Sequence, residues 1–200
     1  MNYKWYFWLL ICLFSGHANA VNLSELIVNR SEPMIIADKS KAMLYVFNPL
    51  DSTIASTPAL FGKVISDDFN KAWYDNSKPP APITPAGVFK TRKSFSTHLR
   101  TDITAIIEGS RYIVAIHPVY STVRGKDRVK RLSTLTVFDN RVTNGCINVP
   151  ENFYYKNLNQ LKDGIKVVVL KENDNVYDDI SVGQNINDQM NSPYVNRIYN

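Results

Sequence analysis

The sequence predicts a mainly β fold with one main helix late in the chain, and three observations carry that expectation. Short runs rich in β-branched and aromatic residues recur between turn residues from Met34 onward. The stretch with helical spacing, ENFYYKNLNQLKD (151–163), comes near the end and is stopped by Gly164. What remains after a leader, about 150 ordered residues, can bury a core of its own without disulfide staples.

The chain opens with MNYKWYFWLLICLFSGHANA, residues 1–20, which read as a secretory leader. Lys4 gives the positive start, Trp5 to Phe14 the apolar stretch, and Ala18-Asn19-Ala20 an A-x-A cleavage site. The apolar stretch is shorter than the roughly 20 residues a bilayer span needs, so an uncleaved anchor is the lesser reading. Cys12 follows Ile11 rather than a small residue, which disfavours a lipid anchor. No other stretch reaches span length. The expectation is an exported protein of the periplasm or cell envelope, with no membrane span once the leader is cleaved.

After an N-terminal segment (21–33), MIIAD (34–38) and AMLYVF (42–47) are strand-like and joined by the polar turn Lys39-Ser40-Lys41, which predicts a hairpin. STPALFGKVI follows a turn at Asn48–Asp51. Residues 66–82, with Trp73, Tyr74 and KPPAP, read as a surface loop, because Pro79, Pro80 and Pro82 exclude a central strand. GVFKTRKSF, TAIIE and RYIVAIH are further strands, the last two separated by Gly109-Ser110. VRGKDRVKR (123–131) reads as a basic, glycine-containing loop. The predicted helix follows, then the buried-looking strand IKVVVL. From Lys171 to Asn200 the chain is rich in Asn and Asp with little apolar periodicity, the pattern of a loosely attached tail. The body of the fold is thus expected over 34–170.

The full chain carries 23 basic and 18 acidic residues, a net charge of +5. Loss of the leader removes Lys4 alone. The tail is acidic, with Lys171 and Arg197 against Glu172, Asp174, Asp178, Asp179 and Asp188, so the body is more basic than the whole. A modestly basic body suits an anionic surface or polymer. Nucleic acid is a poor candidate for an exported chain without a binding motif. Beyond the leader, two separated histidines and no cysteine cluster are too few ligands for a metal site, and no cofactor is expected.

Beyond the leader there is one cysteine, Cys146, in RVTNGCINVP (141–150). A lone thiol in an oxidising compartment is either buried and inert or retained because it reacts. To react it needs a base or a positive environment. His98 lies in the polar run SFSTHLRTD, whereas His117 ends the apolar run IVAI and precedes Pro118, so it should emerge at a strand end. Gly145 allows close backbone approach or a positive φ. Asn148, with Glu151 at the third helical position, resembles an N-cap, so a helix should begin just after Cys146 and its dipole should favour a thiolate. The alternative for Asn148 is that it caps the helix and nothing more.

These residues resemble a known family. TNGCINVP is similar to the active-site motif of the L,D-transpeptidases (YkuD domain), where Ser or Thr, a variable residue that is usually His, and Gly-Cys precede an apolar residue and Asn or Arg. Three further landmarks stand in the family's order. AMLYVF and ALFGK resemble its early strands, ITPAGVF (83–89) its T-P-x-G-x-F signature, and IVAIHPVY puts His117 where the family keeps its catalytic histidine. The resemblance covers roughly 34–170. Two departures stand out: Asn144 replaces the usual histidine before Gly145, and the basic stretch Arg124–Arg131 lengthens the interval between His117 and Cys146. Both match a branch in which an Arg-rich loop leads into D-N-R-[IV]-S-x-G-C-[IV]-N-V-P, the form of DNRVTNGCINVP.

The resemblance implies a YkuD-like β-sandwich or barrel-like catalytic domain, with its main helix after the active-site cysteine. It implies as substrate the stem peptide of peptidoglycan, cut between a diamino acid and the terminal D-alanine. Cys146 is then the nucleophile and His117 the base. The N–H groups of Cys146 and Gly145 would hold the oxyanion, with Asn144 and Thr143 on the site wall and Asn148, Arg141 and Tyr120 toward substrate. The plainer alternatives are that Thr143 and Asn144 satisfy a tight turn, that Tyr120 is a packed tyrosine, and that the basic stretch is a solvated face rather than a clamp for an acidic peptide or glycan. Three functions stay open: a transpeptidase with an amine acceptor, a hydrolase acting as carboxypeptidase or as an amidase on wall-linked protein, and a non-enzymatic wall-binding protein. A wall-attached protein is an expected second partner, as acceptor or substrate.

Overall fold

The MIIAD and AMLYVF runs form the predicted hairpin, and the rest of the fold builds outward from it. A computed structural model describes residues 20–22, 31–68, 81–108, 113–119, 123–134 and 136–177. In chain order the strands are β1 (Ala20–Asn22), β2 (Met34–Asp38), β3 (Met43–Asn48), β4 (Thr53–Pro58), β5 (Phe61–Gly62), β6 (Gly87–Lys90), β7 (Arg92–Ser96), β8 (Thr101–Glu108) and β9 (Ile113–Pro118). Helix α1 (Val123–Leu132) follows, then β10 (Arg141–Thr143) and β11 (Ile147–Val149). Helix α2 starts as an α-turn (Glu151–Phe153) and continues as a π-helical turn (Tyr154–Leu158). Strands β12 (Lys166–Val169) and β13 (Asn175–Tyr177) complete the set. The fold is mainly β. The cores of the expected leader and tail, the Trp73–Tyr74 loop, the Gly109-Ser110 turn and Tyr120 lie outside the described residues.

Two sheets face each other. One has the order β4-β3-β2-β12-β6 and the other β11-β9-β8-β7. Between them lie Ile35, Ala37, Leu44, Val46, Val167 and Val169 from the first sheet and Ile107, Val114, Ile116, Ile147 and Val149 from the second. Strand β12 runs parallel to β2 and antiparallel to β6. Its alternate side chain, Val168, packs with Met34, Ile36, Tyr45 and Phe47 on the other face of the sheet. A strand covered on both faces has no use for polar residues, which is why KVVV is an unbroken apolar run after its lysine.

The run GVFKTRKSF is two strands in two sheets, not one. The change of sheet falls at Thr91, which is buried. Its N–H donates to the Ile165 carbonyl at 2.9 Å, its carbonyl accepts from Gly164 at 2.8 Å, and its hydroxyl accepts from Ile165 N–H at 3.0 Å. Gly164 adopts φ +83, a left-handed turn that glycine tolerates best. That turn pins the strand where it crosses between layers.

Two sequence expectations are corrected. VRGKDRVKR is helical, not a loop. Gly125 disfavours a helix by about 1 kcal/mol, but local propensity yields to packing. Leu132 is buried with Leu60 and Val119, Asp127 and Arg131 pair one turn apart at 2.8 Å, and Lys130 and Arg131 sit in the last turn where the dipole favours them. The second correction concerns α2, which begins after Pro150 and is not capped by Asn148. Asn148 lies in β11 with its side chain engaged elsewhere. The helix ends at Leu158, whose carbonyl accepts from Lys93 Nζ at 2.5 Å, short of the expected stop at Gly164. Buried Tyr154 anchors it through a hydroxyl bond to Thr104 at 3.1 Å.

Candidate active site

Side chains alternate across a strand, and the core identifies which face is which. Ile116, Ile147 and Val149 point into the space between the sheets. Their neighbours His117 and Asn148 therefore occupy the opposite face of the four-stranded sheet, where β9 and β11 run parallel and pair these two residues directly. Cys146 immediately precedes β11. It is a half-buried free thiol whose Sγ donates to the Ile113 carbonyl at 3.7 Å. The strand Ile147–Val149 separates it from α2, so the thiol does not sit at the helix N-terminus. The helix-dipole expectation falls with the capping one.

His117 is only 5% exposed, and both ring nitrogens are engaged. Nδ1 lies 3.0 Å from the Pro118 carbonyl, which can only accept, so Nδ1 carries the proton. Nε2 lies 2.9 Å from Asn148 Nδ2, which can only donate, so Nε2 is the unprotonated nitrogen. Asn148 Oδ1 in turn accepts from Arg128 Nη1 of α1 at 2.9 Å. The chain of bonds runs in one direction, from Arg128 through Asn148 and His117 to Pro118.

Charge follows the same logic. Burial pushes the His117 imidazolium down to about 4; the Pro118 carbonyl opposes this and the Arg128 charge adds to it. Burial also pushes the Cys146 thiol up, against a backbone bond from Ala115 and the charge of Arg128, both of which favour the thiolate. At neutral pH the pair is therefore thiol and neutral imidazole, not thiolate and imidazolium. A histidine that titrates at about 4 folded and near 6.5 unfolded takes up its proton more readily unfolded. Its contribution to stability is complete above about pH 6.5 and is lost as pH falls toward 4, reaching about 2 kcal/mol by pH 5. Urea unfolding at pH 7.5 and 5.0 should show a loss in the wild type larger by that amount than in His117→Gln. Equal losses in the two chains would refute the buried neutral histidine.

The turn that presents Cys146 is braced by two threonines. Thr143 Oγ1 donates to the Cys146 carbonyl at 2.6 Å and accepts from Gly145 N–H at 3.1 Å. Gly145 itself takes φ +120. Because its N–H is already bonded, Gly145 does not offer the oxyanion donor that the sequence suggested. Thr84, of ITPAGVF, donates its hydroxyl to the Gly145 carbonyl at 2.9 Å and accepts from Gly62 N–H at 2.9 Å. At Gly62 a Cβ would stand 2.4 Å from the Pro82 carbonyl oxygen, so only glycine fits. One hydroxyl thus joins ALFGK, ITPAGVF and the Gly145-Cys146 turn. Thr84→Val, which leaves a buried N–H and a buried carbonyl unpaired, should cost about 2–4 kcal/mol in urea unfolding. A loss below 1 kcal/mol would show that the turn stands without Thr84.

Behind Thr84 sits a buried ionic cluster. Lys39, fully buried, places Nζ 2.7 Å from Asp67, 3.3 Å from Glu172 and 3.0 Å from the Thr84 carbonyl. Glu172 also takes both arms of the Arg141 guanidinium, which lies over Phe61 and donates to the Lys39 carbonyl at 3.0 Å. Arg141 is thereby committed to the scaffold, away from the substrate role expected of it. Glu172, in the segment expected to be a loose tail, is held in the fold. Asn144 is exposed at the tip of the turn beside Gly145. Tyr120 lies outside the described residues.

Sequence reasoning missed Arg128, Thr84 and Lys39 as individuals. In a stretch that reads as a loop Arg128 is one charge among many, and a helical period with Leu132 four residues on is the signal available. Thr84 stands in ITPAGVF, where residue type alone gives it no role. Lys39 in a polar turn gave no sign of burial. Among the described residues no group of three His, Cys, Asp or Glu is placed to hold a metal ion, and no helix is long and apolar enough to cross a membrane.

No family model matches the chain, and no curated protein matches it. Among solved structures it is similar to the L,D-transpeptidase from Stackebrandtia nassauensis, at 16% identity and a TM-score of 0.41 over 70% of this chain and 56% of that one. It is similar to Mycobacterium tuberculosis L,D-transpeptidase 1, at 14% identity and a TM-score of 0.37 over 69% and 61%. It is also similar to the helical cell shape determining protein of Campylobacter jejuni, at 18% identity and a TM-score of 0.43 over 70% and 47%. The chain spans about half the length of the solved structures it matches.

Proposed function

We propose that this protein is a peptidoglycan L,D-transpeptidase of the cell envelope, with Cys146 as nucleophile and His117 as base. The observation that carries the reading is that ITPAGVF and IVAIH both bond to TNGCINVP, Thr84 to the Gly145 carbonyl and His117 to Asn148. The motif resemblance supplies the substrate class, a stem tetrapeptide with a terminal D-alanine.

The chemistry follows from two neutral partners. The Cys146 thiol proton passes to His117 Nε2, the unprotonated nitrogen of the resting tautomer, as sulfur attacks the carbonyl carbon next to D-alanine. For this Nε2 must be released by Asn148. The Cys146 N–H donates to the tetrahedral oxyanion; in enzymes where one such donor has been removed, the loss is about 3–4 kcal/mol. Collapse breaks the C–N bond, and His117 returns its proton to the departing D-alanine amine. The thioester is then resolved by an amine of a second stem peptide or of a wall-attached protein, with His117 taking the amine's proton and the thiolate regaining it.

Water in place of the amine would make the same site a carboxypeptidase. Mass spectrometry of muropeptides after incubation with purified disaccharide-tetrapeptide separates the outcomes. Cross-linked dimers are expected. Tripeptides alone would assign hydrolysis, and unaltered tetrapeptide would refute the reading.

A further inference from the structure

We infer that Arg128 is a positioning residue that fixes the tautomer of His117 through the Asn148 side chain. A guanidinium has only donors, so the Asn148 amide must turn its oxygen toward Arg128, which it meets at 2.9 Å. The amide nitrogen is then left facing His117 Nε2 at 2.9 Å, and two donors cannot face each other. Nε2 must therefore be the acceptor and Nδ1 must carry the proton, toward the Pro118 carbonyl at 3.0 Å. Turned the other way, the amide would oppose its own hydrogens to the guanidinium and its oxygen to a lone pair.

Among the described residues the Pro118 carbonyl gives the ring the same instruction at Nδ1, and none gives the opposite one. Asn148 is fully buried, and its backbone is tied on both sides, to Leu60 through N–H and carbonyl and to β9 in the sheet. The β8 residues paired alongside, Thr104 and Ala105, are not ionisable. Among the described residues, Arg128 is the charged group that bears on the ring. Arg128 reaches Asn148 because Leu132, one turn further along α1, is seated against Leu60 and Val119. The helix between His117 and Cys146 is thus the lever that sets which ring nitrogen can take a proton.

The inference deepens the assignment of His117 as base, and its catalytic meaning rests on that assignment. Its test does not, because the readout is the ring itself rather than turnover. Long-range ¹⁵N–¹H spectra of the full chain give the His117 tautomer, with exposed His98 as internal reference. The wild type is expected to show Nδ1–H, with a titration midpoint of about 4. Arg128→Glu compels the amide to turn, and each ring nitrogen then faces an acceptor, Asn148 Oδ1 or the Pro118 carbonyl. That folded variant should show Nε2–H beside Nδ1–H at high pH and a midpoint raised by about one pH unit or more. Arg128→Lys, still a donor only, should keep Nδ1–H alone. Nδ1–H alone in Arg128→Glu would overturn the inference, as would the appearance of Nε2–H in Arg128→Lys. Should muropeptides remain unaltered while the tautomer switches as expected, the functional reading fails and the positioning role stands.

Discussion

Cys146→Ala is expected to lower turnover of disaccharide-tetrapeptide by at least about 10⁴-fold, with the fold unchanged. Removing a nucleophile eliminates the covalent route altogether, whereas binding and any oxyanion donor remain. The substitution is small: the side chain is half-buried and bonds to backbone alone, through a weak sulfur contact to the Ile113 carbonyl and a bond from Ala115. The Thr143, Gly145 and Thr84 bonds that shape the turn involve backbone and hydroxyl groups the mutation does not touch. A far-ultraviolet spectrum and urea midpoint close to wild type should therefore accompany the loss. Dimer or tripeptide formation at the wild-type rate in Cys146→Ala would end the assignment of this residue.

Lys39→Met is expected to destabilise the protein by about 3–5 kcal/mol and to lower Tm by roughly 6–15 °C. The methionine keeps much of the stem volume and removes the charge, so packing loss contributes little. What remains is Glu172, 11% exposed, and Asp67, both arranged around an ammonium that is gone. Arg141 still holds Glu172, but it cannot reach every group that Lys39 joined, among them the Ser66 and Thr84 carbonyls. Because Thr84 carries the Gly145 carbonyl on its hydroxyl, part of the damage should reach the Cys146 turn. Thermal unfolding followed by circular dichroism measures the effect. A Tm within 1 °C of wild type would show that the cluster is a bystander.

The strands that could be read from the sequence are those whose environment is local and periodic. Met34–Asp38 and Val167–Val169 needed nothing beyond their own apolar runs. The break at Thr91 could not be read, because GVFKTRKSF keeps one β-like pattern through a point where the partner strand changes. The helix Val123–Leu132 was hidden for a related reason. Its composition is that of a solvated loop, and its stability comes from Leu132 docking on residues 72 and 13 positions earlier, Leu60 and Val119.

The candidate site divides along the same line. The sequence by itself determined the chemical inventory: one thiol beyond the apolar N-terminal stretch, a histidine at a strand end, and ordered motifs that resemble one family. Those depend only on residue identity and order. The tertiary structure decided the protonation and direction of that chemistry. Register across β9 and β11 put Asn148, not a helix cap, against His117. The docking of α1 brought Arg128 to Asn148, and burial held His117 neutral. Hydrogen-bond direction is a property of facing groups and desolvation of enclosing ones. Neither exists until distant segments of the chain have been brought together.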